Sequence, residues 1–310
     1  MPLYWKRKVL TAKSEGTYGT DSTPAVASDA ILARNMRLSP LEMETEERGN
    51  ELNYVGHQGE IIAGSYVKLD FEVELAGAGS AGTASPIAAL LKACGMSQTL
   101  NAATSAVYAL VAPGSETSCS IYFFMGGRRH KLLGALGTYE LEWVKGRVPL
   151  IKFSFTGLYA AVADAALAAP TLTGFQKPVA VTNANTVISL HSFAGKFREF
   201  RFSLGAQVDY RNLAGSEAVR LTDRKVTGRV VREDELVATK DWWTIMRAGT
   251  LGAFSVAHGT AAGNIVTAAG SNVQLVQPSI DQDQNISMLT MNMLFTPSSS
   301  GNDEFNLTLT

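Results

Sequence analysis

A duplication constrains this chain more than any other feature. In the first half a charged strand, Lys68-Leu69-Asp70-Phe71-Glu72-Val73-Glu74-Leu75, leads into a short helix over Ile87 to Cys94, closed by Gly95. In the second half Lys225-Val226-Thr227-Gly228-Arg229-Val230-Val231-Arg232 leads to a helix over Asp241 to Ala248, closed by Gly249. Each copy ends on an alternating apolar strand, Leu150 to Gly157 in the first and Leu289 to Thr296 in the second. That alternation is the period-two pattern of a half-buried strand. A β-rich module used twice suits structural and assembly proteins better than an enzyme with one buried active site.

A chain of 310 residues is long enough for two domains, each with its own core. Only 18% of residues are charged while 46% are apolar; this fits a protein that hides surface in an assembly, and equally a compact β protein. The net charge of -1 supplies no basic field, which argues against tight nucleic-acid binding. Cys94 sits on an apolar helix and Cys119 in a Thr/Ser-rich strand, without the spacing of a zinc site. They read as buried free thiols, in keeping with a reducing cytoplasm. Met1 to Lys8 lacks the apolar run of a signal peptide. No stretch reaches the roughly 20 apolar residues of a membrane span.

The pattern divides the chain into an N-terminal arm (1–35), a first module (36–160), a linker (161–180) and a second module (181–310). The arm has turn residues and little periodicity, so it is expected to be disordered or laid on a neighbour, and Tyr4, Trp5 and Tyr18 favour the neighbour. Each module is predicted to open with a long hairpin: Leu38–Glu46 with Ile61–Leu75 in the first, and a hairpin from Phe197 to about Arg232 in the second. A helix and a meander of about four strands follow. In the first module these are Thr117–Phe124, Arg129–Ala135, Tyr139–Val144 and Pro149–Tyr159; in the second, Gly252–His258, Asn264–Ala268, Val273–Val276 and Ile286–Thr296. The first module carries an insertion between Gly95 and Cys119, which either decorates the outside or bridges to another subunit. Ala160 to Lys177 is Ala-, Thr- and Pro-rich, as a linker should be. Asn302 to Thr310 is a candidate edge strand.

Several motifs have a bland reading beside a chemical one. Gly77-Ala78-Gly79-Ser80-Ala81-Gly82 is a literal G-x-G-x-x-G between a strand and a helix. No acidic residue lies between Glu74 and Glu116 to hold a ribose, and the preceding strand alternates instead of being continuously apolar. A flexible surface turn is the better reading. His57, His130, His191 and His258 are scattered, and no serine sits in a G-x-S-x-G setting. Arg128-Arg129-His130-Lys131 reads as a hairpin tip or salt-bridge patch before a phosphate site. Met288, Met291 and Met293 read as a packed strand face. Of Trp242 and Trp243, one is expected to anchor the second helix and the other to point away. Glu42, Glu44 and Glu46 alternate along one strand face, either a solvated outer face or a lining that repels polyanions. No residue set supports catalysis, a cofactor or a metal.

These residues bring the chain close to a known family. Lys13-Ser14-Glu15-Gly16-Thr17-Tyr18-Gly19-Thr20-Asp21-Ser22-Thr23-Pro24 in the arm, then Phe71-Glu72-Val73-Glu74-Leu75, the glycine turn and Ala89-Leu90-Leu91-Lys92-Ala93-Cys94-Gly95, resemble the tail tube (major tail) proteins of long, non-contractile-tailed bacteriophages. The resemblance covers the first half well and reaches the second through the repeat. It implies a mainly β fold: two tandem β-sandwich or barrel-like modules, each with a long β-hairpin and one flanking helix. It implies a virion protein, assembled in the host cytoplasm, that stacks in rings and passes double-stranded DNA without specific contacts. One-module members form hexameric rings, so two modules imply a trimer with pseudo-sixfold symmetry. The implied partners are further copies of the chain, a tape-measure protein, a terminator and the tail tip, with no membrane. On this reading Tyr4, Trp5 and Tyr18 are inter-ring contacts. The alternatives are another virion component, such as a terminator or decoration protein, and a two-domain ligand-binding β-sandwich.

Overall fold

The computed structural model of the protein describes residues 4–310, so Met1 to Leu3 of the expected arm lie outside the described residues. The fold is mainly β, with 54% strand and 4% helix. The first half comprises β1 (Lys8–Ser14), β2 (Ala30–Ile31), β3 (Ala33–Glu47), β4 (Glu60–Glu74), α1 (Ala88–Ala93), β5 (Thr99–Asn101), β6 (Ser105–Ala109), β7 (Cys119–Met125), β8 (Arg128–Val144) and β9 (Leu150–Asp164). The second comprises β10 (Thr186–Leu190), β11 (Phe193–Ala194), β12 (Phe197–Ser203), β13 (Ala206–Leu213), β14 (Ser216–Arg224), β15 (Thr227–Glu233), α2 (Trp242–Arg247), β16 (Leu251–His258), β17 (Val266–Asp283), β18 (Ile286–Phe295) and β19 (Asn306–Leu309).

The pairings of the first half recur in the second. β1 pairs with β2 and β7, as β10 pairs with β11 and β16. β3 pairs with β4, as β12 and β13 pair with β15 and β14. β4 then pairs with β9 and β9 with β8, as β15 pairs with β18 and β18 with β17. One antiparallel ladder between β8 and β12 joins the two sets. The result is an unbroken row, β3-β4-β9-β8-β12-β15-β18-β17. A second layer packs over it, and the last strand closes that layer. β19 pairs with β17 on one side and with β6, from the first half, on the other.

One hydrophobic core runs under both halves. Leu69, Phe71 and Val73 alternate inward on β4, and Ile151, Phe153 and Phe155 on β9. Phe202 stacks on Phe305 with ring centroids 3.9 Å apart and also meets Tyr139 and Phe295. The two helices end alike. In α1 the N–H of Gly95 reaches the Lys92 carbonyl and that of Met96 the Leu91 carbonyl; in α2 Gly249 and Thr250 reach Met246 and Ile245. This is the Schellman closure, and it requires the left-handed backbone found at Gly95 (φ 79°) and Gly249 (φ 62°). Asp241 caps α2 by accepting from the Thr244 N–H at 2.9 Å. Trp242 is buried beneath it while Trp243 is exposed.

Five expectations change. The candidate edge strand over Asn302 to Thr310 is an inner one, because β19 has a partner on each side, β17 and β6. The arm is neither disordered nor laid on another molecule over Lys8–Ser14, because that segment is β1, with Leu10 and Ala12 in the core. Each meander has three strands: Arg129–Ala135 and Tyr139–Val144 are one strand, β8, and Asn264–Ala268 and Val273–Val276 are both part of β17. Bulges interrupt the alternation there without breaking the ladder. The insertion between Gly95 and Cys119 supplies β5 and β6, which carry β19 of the same chain. The glycine turn is docked, not free. The Gly77 N–H bonds Asn264 Oδ1 and the Gly79 N–H the Gly263 carbonyl, and a Cβ on Gly77 would stand 2.3 Å from that carbonyl oxygen.

Candidate assembly interface

Because opposed residues on paired strands share a face, the long row has one apolar and one polar side. The apolar side is the core. The other side carries Arg34 and Arg37 on β3, Lys68, Asp70, Glu72 and Glu74 on β4, Lys152 and Ser154 on β9, Glu140 and Glu142 on β8, Glu199 and Arg201 on β12, Arg229 and Glu233 on β15 and Asp281 on β17, with the apolar Val231, Met288 and Leu294 among them in the second half. Acidic side chains outnumber basic ones on it. It borders a groove of 1010 Å³, with Trp5 and Lys8 on its rim.

Where the halves meet, Glu142 takes an ion pair from Lys152 at 2.5 Å and from Arg201 at 3.3 Å. Burial pushes the Glu142 carboxyl up, but Lys152 and Arg201 outweigh it and hold the group below its ordinary value. Beneath these charges Leu141 lies opposite Phe202 in the core. The hairpin β13/β14 then folds back over the first half. Tyr210 packs on Tyr66 with centroids 4.8 Å apart, accepts from the Ser65 N–H at 3.2 Å and donates to Glu217 at 2.6 Å. Burial and the Glu217 hydrogen bond push the Tyr210 hydroxyl up to about 12. Asn212 donates to the Ala63 carbonyl at 2.7 Å, and Leu221 lies against Gly95.

The row has two open ends. Among the described residues, β3 has a strand partner only in β4 along Ala33–Ser39 and β17 only in β18 along Ser279–Asp283, while side chains reach both edges, Lys8 at the Met36 carbonyl (3.4 Å) and Lys145 at Asp283 (3.3 Å). Ile280 is 61% exposed there, and Arg37 and Asp281 face solvent. The longer hairpin β3/β4 leaves Met43, Ile61 and Ile62 exposed, although its counterpart β13/β14 is packed. Unpaired strand edges and clustered exposed apolar groups are what a subunit contact removes from water.

The residues singled out in the sequence separate. Tyr4 and Trp5 are exposed, with the Lys8 ammonium 3.7 Å from the Trp5 ring centroid. Tyr18 is half-buried inside the chain; its hydroxyl accepts from the Val219 N–H at 2.6 Å and donates to the Val219 carbonyl at 3.1 Å. Glu42, Glu44 and Glu46 lie on the outer half of the β3/β4 hairpin, opposite Tyr66, Gly64 and Ile61. Only Glu42 is half-buried; Glu44 and Glu46 are exposed. The basic run fastens the arm: Lys131 pairs with Asp21 at 2.7 Å, and the Tyr122 hydroxyl donates to the same carboxylate at 2.6 Å. Among the described residues no three His, Cys, Asp or Glu side chains converge as metal ligands. No described helix is long and apolar enough to cross a membrane.

Two carboxylates that the local sequence did not single out hold the arm down. Glu15 accepts from the hydroxyls of Ser118 (2.6 Å) and Ser120 (2.8 Å) and from the N–H groups of Gly19 and Gly134 (both 2.8 Å). Their signal was long-range, since Ser118 and Ser120 are about a hundred residues away in sequence. Asp21 is the second. Burial raises its carboxyl, but hydrogen bonds from Lys131, Tyr122 and the Thr23 N–H hold it below its ordinary value. A lowered folded-state value means that the stabilisation is complete above the unfolded value, about 4, and is lost as pH falls through the folded one. Acidification below about pH 4 is therefore expected to loosen the segment around Asp21. Proteolytic nicking between residues 15 and 30 should accelerate there, and Asp21→Asn should nick readily already at pH 7. An arm that stays protected at pH 3 would count against this clamp.

Compared with models of protein families, the chain matches the one described as phage tail tube protein over residues 5–303. A comparison with curated proteins found no match.

Proposed function

The chain belongs to the phage tail tube protein family, and its role is that of a structural component of the virion tail; from this we propose that it polymerises into stacked trimeric rings whose lumen passes double-stranded DNA. The observation that carries this reading is the open-ended row of strands. Each chain supplies two like sets of four, β3-β4-β9-β8 and β12-β15-β18-β17, already joined to one another at β8–β12. Three chains joined end to end in the same way would make a closed barrel of six sets, and closure abolishes both exposed edges. Two tandem tube modules, divided near the segment 161–180, are the units of that pseudo-sixfold ring.

The polar side of the row is the better lumen lining. Its acidic excess, from Asp70 and Glu72 to Glu140, Glu142 and Asp281, repels phosphates, so DNA passes without being held. Glu44 and Glu46, out on the hairpin, belong to the outer, solvated surface. Tyr4 and Trp5, both exposed ahead of β1, are suited to reach a stacked ring; Tyr18 is already engaged within the chain. The transient partner on this reading is DNA; the standing ones are further copies of the chain, a tape-measure protein, a terminator and the tail tip, met during assembly in the host cytoplasm.

Electron microscopy of the purified protein tests this. Rings of threefold mass with sixfold-like projections, or hollow polymers built from them, are the expected result. A chain that stays monomeric at high concentration overturns it. Removing residues 1–7, which leaves β1 intact, should preserve ring formation and weaken stacking; unchanged stacking would exclude Tyr4 and Trp5 as inter-ring contacts.

A further inference from the structure

The duplicated ladders do more than imply that rings close: they give the residue register of the contact between subunits. In both halves the first strand of the row carries one extra residue within the same five-residue stretch, between Arg34 and Arg37 in the first and between Phe197 and Glu199 in the second. Ala33–Arg37 lies opposite Val73–Asp70, and Phe197–Arg201 lies opposite Arg232–Arg229. This equates Arg37 with Arg201, Leu38 with Phe202 and Ser39 with Ser203. At the other end, Leu141 opposite Ile151 on β9 corresponds to Ile280 opposite Leu289 on β18. This equates Glu140, Leu141 and Glu142 with Ser279, Ile280 and Asp281. A second coincidence supports the alignment: both hairpins have a bulge just outside the row, at Glu44/Thr45 and at Gln207/Val208.

Inside the chain the junction is fully formed, with Glu140 opposite Ser203, Leu141 opposite Phe202 and Glu142 opposite Arg201. We propose that β17 of one copy pairs antiparallel with β3 of the next in this same register, which places Ser279 opposite Ser39, Ile280 opposite Leu38 and Asp281 opposite Arg37. The inference rests on the ring reading above and adds which residues meet. It accounts for three features of the isolated chain. The backbone edges of Ala33–Ser39 and Ser279–Asp283 gain ladder partners. Ile280, 61% exposed, is covered as its equivalent Leu141 already is. The ion pair Arg201–Glu142, at 3.3 Å within the chain, gains a counterpart of the same polarity in Arg37–Asp281.

The hairpins follow the strands. Leu221 on β14 pairs with Val208 and lies against Gly95 at the end of α1, and Ile62 pairs with Thr45 at the equivalent bulge. Ile62 of the incoming copy is thereby brought to Gly249, the equivalent of Gly95 at the end of α2. This is the burial missing for Ile62, which is 63% exposed. Among the described residues the one ion pair on the β17 tip, Lys145–Asp283 at 3.3 Å, has its lysine in solvent, where such pairs contribute little and do not block docking.

Disulfide trapping in the full chain tests the register. Cys94 and Cys119 are buried, so the Leu38→Cys, Ile280→Cys double variant reports on the new pair. Directly opposed residues have Cα atoms about 4.5–5.5 Å apart, within disulfide reach, whereas a partner two residues further on is about 7–8 Å away. Mild oxidation of assembled protein should give covalent dimers and closed trimers with Leu38→Cys/Ile280→Cys and none with Leu38→Cys/Gln282→Cys. A charge exchange avoids new thiols. Arg37→Asp or Asp281→Arg alone should raise the protein concentration needed for rings by at least about tenfold, because like charges then meet at every junction. The double exchange should restore it. Rings that form but cross-link at 282, or that are indifferent to both single exchanges, overturn the register and leave the ring reading standing. Wild-type protein that forms no rings removes both.

Discussion

Phe202→Ala is expected to cost about 3–5 kcal/mol of unfolding free energy, the range for emptying a buried aromatic site. Phe202 is 1% exposed and stands where the two halves share their core. Its ring lies 3.9 Å from Phe305, near the chain end, 6.0 Å from Tyr139 on β8 and 5.5 Å from Phe295 on β18. Elements from both halves thus close around one side chain, and none can collapse into the space without breaking the β8–β12 ladder. Urea denaturation should show a lower midpoint with an unchanged slope. Phe202→Leu, which keeps most of the volume, should cost less than about 1.5 kcal/mol. A loss below about 1 kcal/mol for the alanine variant would mean that the halves are not packed through this point.

Glu15→Ala should be the next most damaging change, at about 3 kcal/mol or more. Its carboxylate is buried and accepts four hydrogen bonds, two from backbone N–H groups and two from serine hydroxyls. Alanine leaves four donors without their acceptor, three of them in buried bonds and that of Gly19 in a part-buried one, and each orphaned buried donor costs about 1–3 kcal/mol. The serines can rotate away; the amides of Gly19 and Gly134 cannot. Hydrogen exchange at those two amides should therefore speed up more than at Leu10 or Ala12, deeper in β1. Glu15→Gln keeps one acceptor oxygen but turns an NH2 donor toward other donors, so it should fall between wild type and alanine. Equal exchange rates in all three proteins would show that the carboxylate is not what holds the arm.

Local sequence disclosed those parts whose physics is local. The alternation of Asp70-Phe71-Glu72-Val73 and Ile151-Lys152-Phe153 marked β4 and β9, and Gly95 and Gly249 marked both helix ends. β1 escaped because Val9, Leu10, Thr11 and Ala12 are buried on both faces, so the period-two signal is absent, and lysines flank them. β8 and β17 looked broken because bulges shift the alternation within one strand. The polar face of the row could not be read from any one strand. Alternation defines two sides of a strand, and only the pairing of β4, β9, β8 and β12 shows which charges collect on the same side. Glu42, Glu44 and Glu46 drew attention because they are neighbours in sequence. The acidic groups that share the row's polar face are scattered from Asp70 to Asp281.

The position of β19 bears on how the chain comes to be folded. This strand is made long after β6, yet it is that strand's hydrogen-bonding partner, with Leu307 opposite Tyr108 and Leu309 opposite Ala106. While the chain is on the ribosome, the first half has an unsatisfied strand edge that no residue yet synthesised can cover in the native way. Pairings this distant in sequence form slowly, because loop closure must be paid for before the contacts repay it. The same delay leaves the outer layer of the first half incomplete until β19 has been made, so that layer cannot close while the second half is still being synthesised.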